Sequence, residues 1–173
     1  FLEMENGNVW FITGCSTGLG RDLAEVLLEN GYRVVATARN IASLAKLVDD
    51  HTETVRIAEL DVTDPAQVRS AVKYAIDEFS EIDVLVNNAG YGLIAAIEEA
   101  SDEQIRQQFE TNFFGALDVT RAVIPHLRER GSGHIFNISS VAGFIASPSA
   151  GYYAATKFAL EAVSESLSQE LAE

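Results

Sequence analysis

The chain has 173 residues, 47% apolar and 22% charged, with 12 Gly, 3 Pro and a single Cys, a make-up that fits one globular domain and excludes collagen-like, disordered and disulfide-stapled classes. Its 12 Lys and Arg against 26 Asp and Glu leave a net charge of −14 with no basic run, which excludes nucleic acid and anionic lipid surfaces as partners. Residues 1–5 show no basic stretch ahead of an apolar block, and no apolar run is long enough to span a bilayer, so the expectation is a cytoplasmic protein with neither leader nor membrane anchor.

Val9-Trp10-Phe11-Ile12 is a short apolar run, as expected of a strand buried on both faces, and it ends at Thr13-Gly14. The spacing of Leu19, Leu23, Val26 and Leu27 predicts a helix over 18–30, closed by Gly31. A second strand follows over 32–37. Asn40 is placed to cap a helix to about Asp50 with Ile41, Leu44, Leu47 and Val48 inward, and 54–60 reads as a strand nearer the sheet edge. Asp64-Pro65 supplies the cap and first residue of a helix to about Phe79, with a fourth strand over 82–86. Ser101 and Gln104 make a capping box that opens one long helix to about Arg130, which Pro125 should kink in its last turns. Gly131-Ser132-Gly133 is a turn, 134–138 a fifth strand, and 152–171 a final amphipathic helix.

This alternation of short apolar strands with longer helices is the signature of a parallel sheet covered on both faces. The expected fold is α/β, a Rossmann-type doubly wound parallel sheet of order 3-2-1-4-5, in a single domain over residues 1–173. In such sheets ligands bind beyond the carboxyl ends of the strands, where the order reverses between the first and fourth. The candidate site residues are therefore those that end the strands: Thr13-Gly14, Thr37-Ala38-Arg39, Asp61-Val62, Asn87-Asn88-Ala89-Gly90 and Ser139-Ser140.

Thr13-Gly14-Cys15-Ser16-Thr17-Gly18-Leu19-Gly20 joins the first strand to the first helix. Glycines there let the backbone approach a pyrophosphate, and the helix N-terminus offers unpaired N–H groups. By itself the run is either a dinucleotide cradle or an ordinary glycine-rich turn, and with no lysine at 19 or 20 it lacks the phosphate-loop NTPase pattern. The tip of the second strand has no acid to accept from a ribose hydroxyl. Arg39 can instead bridge a 2′-phosphate, with a hydroxyl from Ser16 or Thr17, so NADP(H) is expected ahead of NAD(H); otherwise Arg39 is a solvated loop cation.

Tyr153 and Lys157 stand four residues apart on one face of the last helix, and Ser140 ends the fifth strand thirteen residues before Tyr153. Three protic groups can thus converge beside a nicotinamide. Hydride transfer to a carbonyl needs a proton donor at oxygen, and a tyrosine of pKa about 10 serves better when an ammonium and the oxidised nicotinamide lower that value. Asn112, among Phe109, Phe113 and Phe114, either caps a local kink or holds a water that passes protons to Lys157. Asn87 and Asn88 likewise either tie their turn together or serve the site. Cys15 reads as a small loop residue, and His51, His126 and His134 show no metal-ligand spacing, so no metal is expected.

Taken together, TGCSTGLG, Asp61-Val62, the run from Asn87 to Gly90, Asn112 in TNFFG, the serine of NISSVAG and YAATK resemble the short-chain dehydrogenase/reductase family in order and separation, from Val9 onward. The wording around Ala89-Gly90-Tyr91-Gly92 is similar to its hydroxysteroid-dehydrogenase-like branch. The resemblance implies an NADP(H)-dependent oxidoreductase that interconverts a ketone and a secondary alcohol. It implies a catalytic tetrad of Asn112, Ser140, Tyr153 and Lys157, in which Ser140 polarises the substrate oxygen. It implies a cofactor held by Gly14, Ser16, Thr17, Gly18, Leu19, Gly20, Arg39, Asp61, Val62, Asn88, Ala89, Gly90, Tyr153 and Lys157, with the adenine received at Asp61-Val62. The implied partners are a small carbonyl or alcohol substrate and further copies of the chain, as a homodimer or homotetramer. Family members continue past the tyrosine helix into a sixth strand, a substrate-covering segment and a seventh strand, whereas this sequence stops at Glu173, so an unpaired edge is expected on the fifth strand. Two other readings stand beside this one: a regulatory module that binds NADP(H) without chemistry, and an inactive truncated fragment.

Overall fold

The computed structural model describes residues 7–172; residues 1–5, where no leader was expected, and Glu173 lie outside the described residues. Strands β1 (Val9–Ile12), β2 (Arg33–Ala38), β3 (Val55–Glu59), β4 (Val84–Asn87) and β5 (His134–Asn137) form one parallel sheet in the order β3-β2-β1-β4-β5, as expected. Phe11 stands opposite Val35 on one side and Leu85 on the other, and Val86 opposite Phe136. Parallel neighbours require crossovers, which α1 (Gly18–Glu29), α2 (Ala45–Asp50), α3 (Pro65–Phe79), α4 (Asp102–Phe109) and α5 (Ala116–Arg130) supply, and α6 (Gly151–Glu170) follows β5.

Side-chain alternation divides the core between the two faces. Val9, Phe11, Val35 and Leu85 meet Val68, Val72 and Ala75 of α3 and Val119 and Val123 of α5. Ile12, Val34, Ala36, Val84 and Val86 meet Ala24, Leu27 and Leu28 of α1 with Leu44 and Leu47. Strands covered this way need apolar residues at nearly every position, which explains the unbroken runs in β1, β2 and β4. The caps form as read: Asp64 accepts from the Ala66 and Gln67 N–H groups, and both halves of the Ser101–Gln104 box are made.

Several helix expectations are corrected. α1 turns Leu19 and Val26 to solvent and buries Gly20, Ala24, Leu27 and Leu28, because its small residues form the flank that approaches the sheet. The second helix opens as a 3-10 turn, Ile41–Leu44, with the Asn40 carboxamide accepting from Ala42 N–H at 3.0 Å. That tighter turn rotates Ile41 outward and leaves Val48 half-buried, while Leu44 and Leu47 stay inside. α5 is a single helix, Ala116–Arg130, with Pro125 inside it on the exposed side, where water can take up the carbonyl it frees. The interruption comes earlier, in a π-helical turn, Glu110–Gly115, that carries Asn112.

Among the described residues β5 is paired on one side only, with β4, and its side chains are half-buried or exposed. No helix among the described residues is long and apolar enough to cross a membrane.

Candidate active site

A cleft of about 1420 Å³ lies at the carboxyl ends of the strands. Its wall gathers Gly14, Ser16, Thr17, Gly18 and Leu19 of the glycine turn, Arg39, Asp61, Val62, Asn88, Ala89 and Gly90 from the strand ends, and Tyr153 and Lys157 of α6. Of the expected tetrad and cofactor residues, Gly20, Asn112 and Ser140 are not on that wall, and neither are Thr13, Thr37 and Asn87 of the strand ends.

The glycine turn is shaped by two left-handed residues, Gly14 (φ +75°) and Gly18 (φ +62°). A Cβ on Gly14 would lie 2.9 Å from Ala89 Cα, so glycine lets β1 and the β4 loop close on each other. A Cβ on Gly20 would overlap the Asn88 carboxamide and come within 2.6 Å of Gly14 O. Gly20 therefore packs α1 against the loop and does not face the cleft. At the start of α1 the Thr17 side chain makes no capping bond and the first turn holds no acid. The free N–H groups and the positive end of the helix dipole are thus left to an anion, which fits a pyrophosphate.

A hydrogen-bonded frame holds the loops in register. Thr13 Oγ1 accepts from Asn88 N–H and Ala89 N–H, both at 3.0 Å, and Asn88 Nδ2 donates to Thr13 O (2.9 Å) and Gly14 O (3.0 Å). Asn87 Nδ2 donates to Thr120 Oγ1 and Asn137 Oδ1, tying β4 to α5 and β5. Both asparagine side chains thus serve the frame, although Asn88 also touches the cleft. Asp61 Oδ1 accepts from Thr63 N–H and its hydroxyl, which closes the turn after β3. Arg39 is exposed at the β2 tip, on the cleft wall, and makes no ion pair among the described residues.

At the other end, Lys157 is 6% exposed. Its Nζ donates to Ile138 O at 2.6 Å and lies 5.8 Å from the centroid of the Tyr153 ring. Burial holds its pKa below the ordinary lysine value. Asn112 is buried with both ends of its side chain engaged: Oδ1 accepts from Tyr91 N–H at 3.0 Å, and Nδ2 donates to Tyr91 O (2.8 Å) and Thr156 Oγ1 (3.2 Å). Ser140 Oγ accepts from Ala142 N–H at 3.1 Å and caps a 3-10 turn, Val141–Gly143. Its neighbour Ser139 does reach the cleft wall, but the Ser139 hydroxyl is buried beside Gly143, where a Cβ would come 2.8 Å from it.

Sequence reasoning missed Gln108, which is fully buried and donates from Nε2 to Tyr91 O at 3.1 Å. The available signal was its place one helical turn before Asn112. It also missed Glu103, Arg106, Gln107 and Glu110, wall residues on the exposed side of α4 and the π turn that no motif marks. Cys15 is buried, and burial pushes its thiol up to about 12, so it holds no thiolate at neutral pH. Among the described residues no group of three or more His, Cys, Asp or Glu is placed to hold a metal ion.

The family model of the short chain dehydrogenases matches residues 8–173. The chain belongs to the short-chain dehydrogenase/reductase family. It is 46% identical over 170 residues to the oxidoreductase calM of Penicillium decumbens and 41% identical over 160 residues to the 3-ketodihydrosphingosine reductase of Bacteroides thetaiotaomicron. These matches cover 94% and 92% of this chain but 55% and 57% of those proteins. A short-chain dehydrogenase from Streptomyces avermitilis has a TM-score of 0.94 at 40% identity, covering 98% of this chain and 62% of its own. A gluconate 5-dehydrogenase from Burkholderia cenocepacia, in complex with NADP and tartrate, has a TM-score of 0.90 at 33% identity, covering 97% and 67%. A family member from Burkholderia phymatum, in complex with NAD, has a TM-score of 0.91 at 31% identity, covering 95% and 60%. The chain thus spans a little over half the length of the curated relatives it matches. Oxidoreductase chemistry on NAD(P) is what the family shares.

Proposed function

We propose that this chain is the NADP(H)-binding Rossmann domain, with a built-in proton-transfer site, of an enzyme that interconverts a ketone and a secondary alcohol. The observation that carries the reading is the arrival of Tyr153 and a buried Lys157 on the same cleft as the glycine turn. When bound, the nicotinamide supplies or accepts the hydride at the substrate carbon. The Gly14–Gly18 turn and the N-terminus of α1 hold the pyrophosphate, and Asp61-Val62 receives the adenine. Arg39, with Ser16 or Thr17, takes the 2′-phosphate. Solved relatives bind either nicotinamide cofactor, and Arg39 in place of an acid favours the phosphorylated one here.

Tyr153 donates a proton to the carbonyl oxygen in reduction and recovers it in oxidation, and the Lys157 ammonium beside its ring stabilises the phenolate between those steps. Ser140 only accepts in its bond to Ala142, so its own O–H is left to polarise the substrate oxygen. Asn112 holds the Tyr91 loop and Thr156, and through them the helix that carries Tyr153 and Lys157. Exposed Phe114 and Phe158 suit contact with a second copy in a homodimer or homotetramer. The branch suggested by residues 89–92 leaves the choice of ketone open.

The test follows NADPH absorbance over a panel of ketones. Wild type turns over, and Tyr153→Phe lowers the rate by about a thousandfold with NADPH affinity retained. Arg39→Ala weakens NADPH at least about tenfold more than NADH. Equal rates in wild type and Tyr153→Phe would refute the reading.

A further inference from the structure

Gly115 ends the π turn and leads into α5 with φ −60° and ψ −43°, a helical conformation open to any residue. Glycine there is less favourable than alanine, so what it contributes is room. A Cβ at this position would lie 2.7 Å from Val62 Cγ2, 2.9 Å from Val62 Cβ and 3.0 Å from Val62 O. None of these atoms yields easily, because Val62 is β-branched, 5% exposed and part of the cleft wall, and its carbonyl belongs to the backbone. A Cβ here would force one partner to shift, and each is tied to its surroundings. On one side the π turn is held through Asn112 to Tyr91 and Thr156. On the other, the Val62 turn is closed by Asp61 accepting from Thr63 and by Asp61 N–H donating to Gln67 Oε1 at 2.8 Å.

We propose that Gly115 is a positioning residue for the adenine end of the cleft: its missing side chain sets the depth at which Val62 stands. This rests on the reading that Asp61-Val62 receives the adenine of a dinucleotide. Displacing Val62 then moves that wall and leaves the nicotinamide end, built from α6 and the β4 loop, in place.

The experiment is Gly115→Ala, read by calorimetric titration with three probes: NADPH; adenosine 2′,5′-bisphosphate, which carries the adenine end alone; and reduced nicotinamide mononucleotide, which lacks it. NADPH and the bisphosphate are expected to weaken about tenfold while the mononucleotide holds within about twofold. Adding Val62→Ala, which removes the nearest atom, recovers at least about threefold of the loss. Unchanged NADPH binding, or an equal loss for all three probes, overturns the proposal. If Gly115→Ala does not fold, a double variant that folds and binds the bisphosphate supports the contact, and a double variant that also fails overturns it. Wild type that binds no dinucleotide removes the functional reading together with this one, whereas wild type that binds beside an unaffected variant removes this one alone.

Discussion

Lys157 keeps its ammonium where water scarcely reaches, with Ile138 O as its acceptor. Desolvation lowers its pKa from the ordinary 10.5, and this has a definite sign for stability. Between the folded and unfolded values the unfolded chain holds more protons, so stability rises with pH in that window, which closes near 10.5. Thermal melts at a series of pH values up to about 10.5 should show this rise in wild type and its loss in Lys157→Met. A difference between the two proteins that does not vary with pH would mean that burial does not govern the group.

The π turn links α6 to the loop after β4. Gln108 and Asn112 both donate to Tyr91 O, and Asn112 also accepts from Tyr91 N–H, so the backbone of one loop residue is held by three bonds. Gly92 follows Tyr91, and a Cβ there would stand 3.9 Å from the Tyr153 ring, so this clamp also sets the loop against the tyrosine. Asn112→Ala leaves the part-buried Tyr91 N–H without its acceptor and takes the donor from the buried Thr156 Oγ1, and should destabilise the protein by about 2 kcal/mol, seen as a lower denaturation midpoint in urea. Lost activity at unchanged stability would instead assign Asn112 a direct part in proton transfer.

Across the whole molecule the sheet is protected unevenly. β1 has strands on both sides and side chains that are almost all buried, whereas β5 has a partner on one side among the described residues. His134 N–H donates to Asp83 O and Ile138 N–H to Asn87 O, so the alternating N–H groups of Ile135 and Asn137 point to the open edge. Hydrogen exchange on this 173-residue chain should be at least about a hundredfold faster at Ile135 and Asn137 than at Phe11 or Val35. Equal protection would show that another chain, or another copy, covers the edge.

Strand order and the position of the cleft were legible in the residues alone, because short apolar runs alternating with longer helices leave right-handed crossovers as the economical path, and parallel strands bring their carboxyl ends to one edge. Tyr153 and Lys157 were legible for a similar reason: residues four apart on one helix share a face whatever surrounds them. Features that depend on contact between distant segments were not. The π turn forms where Asn112 meets Tyr91, the outward turn of Leu19 and Val26 follows from Gly20 and Ala24 approaching the sheet, and the room at Gly115 has meaning only opposite Val62. Local spacing determines which face a side chain takes within its own element, but what that face meets is decided only when elements far apart in the chain pack together.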